Sequence, residues 1–309
     1  MTSSSDADEV TPPWVELPRE ITATIFHKLG TIEILTTAQE VCTTWRSVCQ
    51  DPDMWRSIDM RNKVNIWEMP YEYDLEKMCR HAVDRSEGQL IDINIENFGT
   101  DDLLLYISQR CGRLRSLQLV FCYDITDEGL VEAVKNFPLL EELHLYYTPI
   151  DATTIEIVGR SCLQLKSFKL NHRGYKIPHL VCDLDALAIA ENMPELRHLQ
   201  LFGNKLTDDG LQAILDGCPN LESLDLRQCF SVDFEGNLRT LCAERIKDLR
   251  FPNDRTDDYG FDAELNDYET SDDDYYISGL SDIEMVSDYD DFSGASLSSY
   301  EYEEEFFVD

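Results

Sequence analysis

The residues of this 309-residue chain that could carry covalent or metal chemistry are six histidines and ten cysteines, and their spacing points away from both kinds. There is no glycine-rich phosphate loop and no nucleophile elbow, and the histidines fall on scattered helix, strand and loop positions. His172, His179 and Cys182 lie close in sequence, but their spacing matches no common zinc site and a fourth ligand is not evident. The expectation is no catalytic residue, no metal and no cofactor. The chemistry on offer is non-covalent. Val120, Tyr146, Phe202, Arg227 and His144 recur at fixed places in a periodic framework, and aromatic side chains with arginine carry much of the energy of protein interfaces.

That framework is an internal repeat. Leu90-x-x-Ile93-x-Ile95, Leu114-x-x-Leu117-x-Leu119, Leu140-x-x-Leu143-x-Leu145, Leu165-x-x-Phe168-x-Leu170, Leu196-x-x-Leu199-x-Leu201, Leu221-x-x-Leu224-x-Leu226 and Ile246-x-x-Leu249-x-Phe251 share one template, with starts 24, 26, 25, 31, 25 and 25 residues apart. The template resembles a leucine-rich repeat. Each unit alternates apolar and polar residues as a short strand does, then supplies a helical stretch that returns the chain. Thr126 and Thr207, each followed by acids, fit helix N-caps with negative charge in the first turn. No unit buries its apolar face alone, so the units must stack on one continuous core, with a parallel sheet on the concave side and helices on the convex side.

On each strand the third and fifth residues after the start point inward, and the second, fourth and sixth face the concave surface. The sixth positions include Val120, Tyr146, Phe202 and Arg227, and His144 is a fourth position. These five are expected to be exposed and to bind a partner protein. Cys122, Asn204 and Cys229 share the slot where such repeats use Cys or Asn to meet backbone groups, and Cys111, Phe137, Cys162, Met193 and Cys218 share an apolar helix-end position. The one long unit places its surplus in 171–183, where an extruded loop is expected.

A different pattern precedes the repeats. Ile21, Ile25 and Leu29 are spaced for a helix, Gly30 breaks it, Thr31 is placed to cap the next, and Val41, Trp45 and Val48 continue the apolar spacing until Asp51-Pro52. Leu75, Met78, Cys79, Ala82 and Val83 then share one face of a further helix. The order Leu17-Pro18, Glu20-Ile21, Ile25-Phe26, Leu35, Val41-Cys42, Trp45-Arg46, Asp51-Pro52 and Trp55 resembles an F-box, and the whole chain resembles the plant F-box/leucine-rich-repeat proteins of the SCF adaptor-interacting type. The resemblance implies that Leu17, Pro18, Ile21, Ile25, Leu35, Val41, Cys42 and Trp45 pack on the SCF adaptor subunit, and through it reach cullin, or support that surface.

The implied organisation is a disordered start at 1–12, an F-box at 13–60, a helical linker at 61–89, a leucine-rich-repeat solenoid of about seven units at 90–252 and a disordered acidic tail at 253–309. The tail reading comes from composition. Residues 254–309 carry 20 acids against the single base Arg255 and little aliphatic periodicity, within a chain of net charge −35. It also holds eleven aromatics between Tyr259 and Phe307, which could make it a sticky interaction segment. So acidic a chain is not expected to bind nucleic acid or anionic membrane. With neither an export signal nor a long apolar run, it is expected in the nucleus or cytoplasm with reduced thiols.

The resemblance implies a substrate-recognition subunit of an SCF ubiquitin ligase, non-catalytic itself, that brings a client protein to the ubiquitin-charged enzyme. The alternative is a non-degradative acidic leucine-rich-repeat scaffold or chaperone for basic proteins.

Overall fold

A computed structural model describes residues 14, 17–61, 74–174, 181–261 and 263. The expectations for 1–12, His179 and the tail from 264 onward fall outside these residues.

The first helix, α1 (Arg19–Leu29), turns its Thr22 and Phe26 inward and ends at Gly30, whose φ of 92° suits glycine. The chain re-enters helix as α2 (Thr31–Glu33), widens through a π turn (Ile34–Ala38), and closes with α3 (Gln39–Val41) and α4 (Thr43–Cys49). Thr31 is not the cap expected of it. It is the first residue of α2, and its buried hydroxyl accepts a hydrogen bond from the Asp59 amide at 3.0 Å. Arg19 reaches Asp51 at 2.5 Å and holds that carboxyl below its usual pKa, chiefly by hydrogen bonding, which ties α1 to the Asp-Pro turn. Trp55 is buried there and donates its indole N–H to the Cys49 carbonyl at 2.8 Å.

Directly after this turn comes a strand the repeat template did not reveal. β1 (Ser57–Asp59) pairs in parallel with β2 (Asp92–Glu96), and among the described residues it begins an eight-stranded parallel sheet in strict sequence order. The rest are β3 (Ser116–Val120), β4 (Glu142–Tyr146), β5 (Ser167–Asn171), β6 (His198–Gln200), β7 (Ser223–Asp225) and β8 (Asp248–Arg250). Helix α5 (Leu75–Arg85), capped by Asp74, buries Leu75, Cys79, Ala82 and Val83 as its periodicity predicts. The returning helices are α6 (Asp101–Ser108), α7 (Asp127–Val134), α8 (Ala152–Ser161), α9 (Leu184–Asn192), α10 (Asp208–Gly217) and α11 (Leu238–Arg245). One apolar core runs from Phe26 through the inward strand residues to Ile246, so the helical segment and the repeats share it.

Repeats are also joined by acids. Asp101 accepts from both the amide and the hydroxyl of Thr126, Asp183 accepts the same pair from Thr207, and Asp208 accepts three successive amides of the next unit, Asp233 to Glu235. Thr126 and Thr207 meanwhile cap their own helices as predicted. The slot cysteines behave as expected too: the Cys122 thiol lies 3.4 Å from the Val120 carbonyl, and the Cys229 thiol 2.8 Å from that of Leu201. Burial pushes the Cys122 thiol up to about 11 and those of Cys79 and Cys162 up to about 12, so these groups are packing residues and not nucleophiles.

Candidate functional site

Two surfaces stand out. On the first, Ile21, Ile25 and Leu29 follow one another at i, i+4, i+8 along α1, and they are 49%, 37% and 39% exposed. Val41, 46% exposed, and Pro18 add to the apolar surface of this segment. An uncovered aliphatic row on a well-packed helix is what a helix-to-helix interface leaves when its partner is absent. The other residues grouped with it by sequence lie elsewhere. Leu35 is buried in the core. Trp45 packs edge-on against Phe26 with ring centres 5.0 Å apart, and Cys42 caps α4 by accepting the Trp45 amide at 3.4 Å. Leu17 is partly buried. Leu35, Cys42 and Trp45 therefore shape the helices that carry the exposed row, because their side chains are used inside the segment.

The second surface is the concave face of the sheet, and here the expectation of exposed side chains is corrected. Val120 and Phe202 are 0% exposed, and Tyr146, Arg227 and His144 are also buried. Val120 and Tyr146 stand outside the main core, as predicted; what covers Val120, Tyr146, Phe202 and Arg227 is more of the same chain. Residues expected to begin a disordered tail instead fold back over this face. Tyr259 stacks flat on Phe202, ring centres 3.9 Å apart and 1° from parallel. Phe261 lies 4.5 Å from Tyr146 and edge-on to Phe121 at 6.1 Å. Gln228 donates its side-chain N–H to the Ala263 carbonyl at 2.6 Å.

Arg227 anchors this arrangement. It holds Asp225 at 2.7 Å, donates to the Arg255 carbonyl at 3.1 Å and pairs with Asp258, which Arg250 also meets at 3.2 Å. The Arg227 hydrogen bond keeps the Asp258 carboxyl below its usual range. Such bidentate and shared guanidinium contacts fix a carboxylate in direction as well as distance. Burial drives the His144 pKa down to about 3, with Lys169 adding to the shift, so His144 is neutral; its Nε2 lies 3.0 Å from the Ser167 hydroxyl.

The rim of the surface is strained. Phe121 and Tyr147 each follow a strand with φ of 52° and 55°, in the left-handed region that bulky residues avoid, and their rings stack 4.8 Å apart. Sequence reasoning missed Phe121, Tyr147, Asp258, Tyr259 and Phe261. A signal existed in Asp257-Asp258-Tyr259-Gly260-Phe261, which concentrates acid and aromatics, but no periodicity ties it to the repeats.

In the long unit, His172 stands 4.0 Å from Asp185 and Cys182 is exposed. Among the described residues no cluster of three or more histidine, cysteine or acidic side chains is arranged to hold a metal, and no helix is long and apolar enough to cross a membrane.

Comparison with known proteins finds relatives for both the helical segment and the repeats. The F-box-like family model matches residues 14–61, and a model described as FBD-associated F-box protein At5g56370, LRR repeats, matches 176–243. The chain is 53% identical over 281 residues to the F-box protein SKIP19 of Arabidopsis thaliana, covering 91% of this chain and 88% of that one. It is also 53% identical over 249 residues to the putative F-box/LRR-repeat protein 23 of the same plant, covering 79% of this chain and 54% of that one. The F-box protein SKIP1 of Arabidopsis thaliana is 29% identical over 263 residues, covering 77% and 87%.

Proposed function

The chain belongs to the plant F-box/leucine-rich-repeat family, and from that premise we propose that it is the substrate-recognition subunit of an SCF ubiquitin ligase. The observation that carries the reading is the exposed row Ile21, Ile25 and Leu29, with Val41, on a helical segment that shares its core with the repeats. One end offers an apolar surface to the adaptor subunit. The other offers a concave sheet to a client. Because β1 joins the two ends into one sheet, a client held by the repeats is held at a fixed place relative to the adaptor. The chain raises the effective concentration of client lysines near the ubiquitin-charged enzyme and forms no covalent bond itself. The work is expected in the nucleus or cytoplasm.

A pull-down of the full chain with purified SCF adaptor tests this reading. Adaptor should be retained by the unaltered chain and lost on Ile21→Asp or Val41→Asp. Failure of the unaltered chain to retain adaptor would favour a non-degradative acidic scaffold.

A further inference from the structure

Residues 254–263 do not simply cap the last repeat. They run back across the sheet: Asp258 meets Arg227 and Arg250 by the last two strands, Tyr259 covers Phe202 beyond β6, and Phe261 reaches Tyr146 in β4 and Phe121 beyond β3. A shield for the final repeat would need to cover only β8.

The contacts read side chains one by one. Asp258 is the carboxylate that Arg250 meets and the second that Arg227 meets, beside Asp225. Tyr259 and Phe261 each occupy an aromatic seat. Gly260 between them is exposed, its φ is outside the left-handed region, and a Cβ built there meets nothing within 4 Å. The bound element is therefore an acid, a tyrosine, any residue, then a large apolar side chain. Asp273-Asp274-Tyr275-Tyr276-Ile277 repeats this pattern in sequence, with tyrosine at the tolerant position.

The segment does not fill the groove. About 910 Å³ stays open beside it, lined by the fourth-position row that includes His144, Lys169 and Gln200, with Arg61, Glu142 and Asp248 also on its wall. Lys169 is partly buried and makes no salt bridge among the described residues; desolvation lowers its pKa, while Glu142 and Asp225 act on it through space in the opposite direction. A partly desolvated cation with no carboxylate in direct contact suits one from an incoming peptide.

We propose that this concave groove is a receptor site for an extended acidic-aromatic peptide, acid-Tyr-any-Phe or aliphatic, that residues 258–261 occupy it in cis, and that clients enter by presenting the same element. The inference rests on the reading of the chain as a substrate receptor. A tethered occupant acts at an effective concentration on the order of millimolar, so it excludes weak ligands and gives way to a client that also engages the Lys169 row.

The test is a fluorescence-polarisation titration of the purified full chain with a labelled synthetic peptide spanning 253–263; the control peptide has alanine in place of its tyrosine and phenylalanine. The chain variant Tyr259→Ala/Phe261→Ala should bind the peptide at least tenfold more tightly than the unaltered chain, and the control should bind neither. Asp258→Ala changes an exposed side chain, leaves both rings in place and should also bind more tightly; it carries the comparison if the ring variant fails to fold. A third variant adding Tyr275→Ala and Ile277→Ala should bind at least as tightly as the first. Equal peptide affinity across these chains, no binding by any of them, or equal binding of the control overturns the proposal. Adaptor pull-down on the same preparations separates the two readings. Adaptor retention without peptide binding overturns only the groove proposal, and peptide binding without adaptor retention overturns only the ligase reading.

Discussion

The backbone amide of Asp59 donates to the hydroxyl of Thr31 at 3.0 Å, joining the start of the second helix to the first strand of the sheet. Thr31 is buried, and Asp59 lies in the strand that pairs with β2. The helical segment and the solenoid are thus welded through a strand and a hydrogen bond as well as through the shared core. Thr31→Val keeps the shape and removes the hydroxyl to which the amide donates, which should cost about 1–2 kcal/mol. Denaturant unfolding followed at the tryptophans and by far-ultraviolet circular dichroism should show a single earlier transition. Separate transitions for the two signals would refute the weld.

The exposed and buried residues of the helical segment should separate cleanly by mutation. Ile21→Asp and Val41→Asp place charge on side chains already in water, so the melting temperature should hold while adaptor affinity falls by a hundredfold or more. Trp45→Ala removes a ring packed on Phe26 and should destabilise the chain by about 3 kcal/mol. Surface plasmon resonance against the adaptor, beside thermal melts, distinguishes the two classes.

On the concave face, Tyr146→Ala/Phe202→Ala should abolish client capture and leave adaptor binding intact. These residues are buried beneath the chain's own Phe261 and Tyr259, so the variant should also loosen that segment. Faster amide hydrogen exchange at 257–261 is the expected sign, and unchanged exchange there would contradict the packing described.

His144 gives a pH signature. Its folded pKa is about 3 against the ordinary histidine value of 6.5, lowered first by burial and then by Lys169. Between these values the unfolded chain binds the proton and the folded chain does not, so stability falls as pH drops from 6.5 towards 3. From pH 7 to 5 the loss assigned to this residue is up to about 2 kcal/mol. His144→Gln, which can still hydrogen-bond Ser167, should flatten that part of the profile. Identical pH slopes for variant and unaltered chain would remove His144 as the cause.

The acid ladder makes a last prediction. Asp183 accepts from the Thr207 amide at 2.7 Å and from its hydroxyl at 2.8 Å, so Asp183→Ala should cost about 1–2 kcal/mol and speed exchange of the Thr207 amide.

The sequence by itself determined the repeat register, the inward strand residues, the capping threonines and the slot cysteines. All of these follow from local spacing, because a strand alternates with period two and a helix with period 3.6 whatever lies opposite. Tertiary structure alone decided three things. Ser57–Asp59 becomes a strand because β2 offers it a pairing edge, not because three residues carry a pattern. Leu35 and Trp45 turn inward while Ile21 and Val41 stay out, since the π turn and the helix packing set which side of each helix meets the core. Tyr146 and Phe202 are buried and not exposed because Asp258, Tyr259 and Phe261, which follow the last strand, find an arginine pair and two aromatic seats on the concave face. Composition classed those residues as tail, since an acidic-aromatic segment has no core of its own. It becomes ordered where the folded repeats supply complementary charge and flat apolar surface.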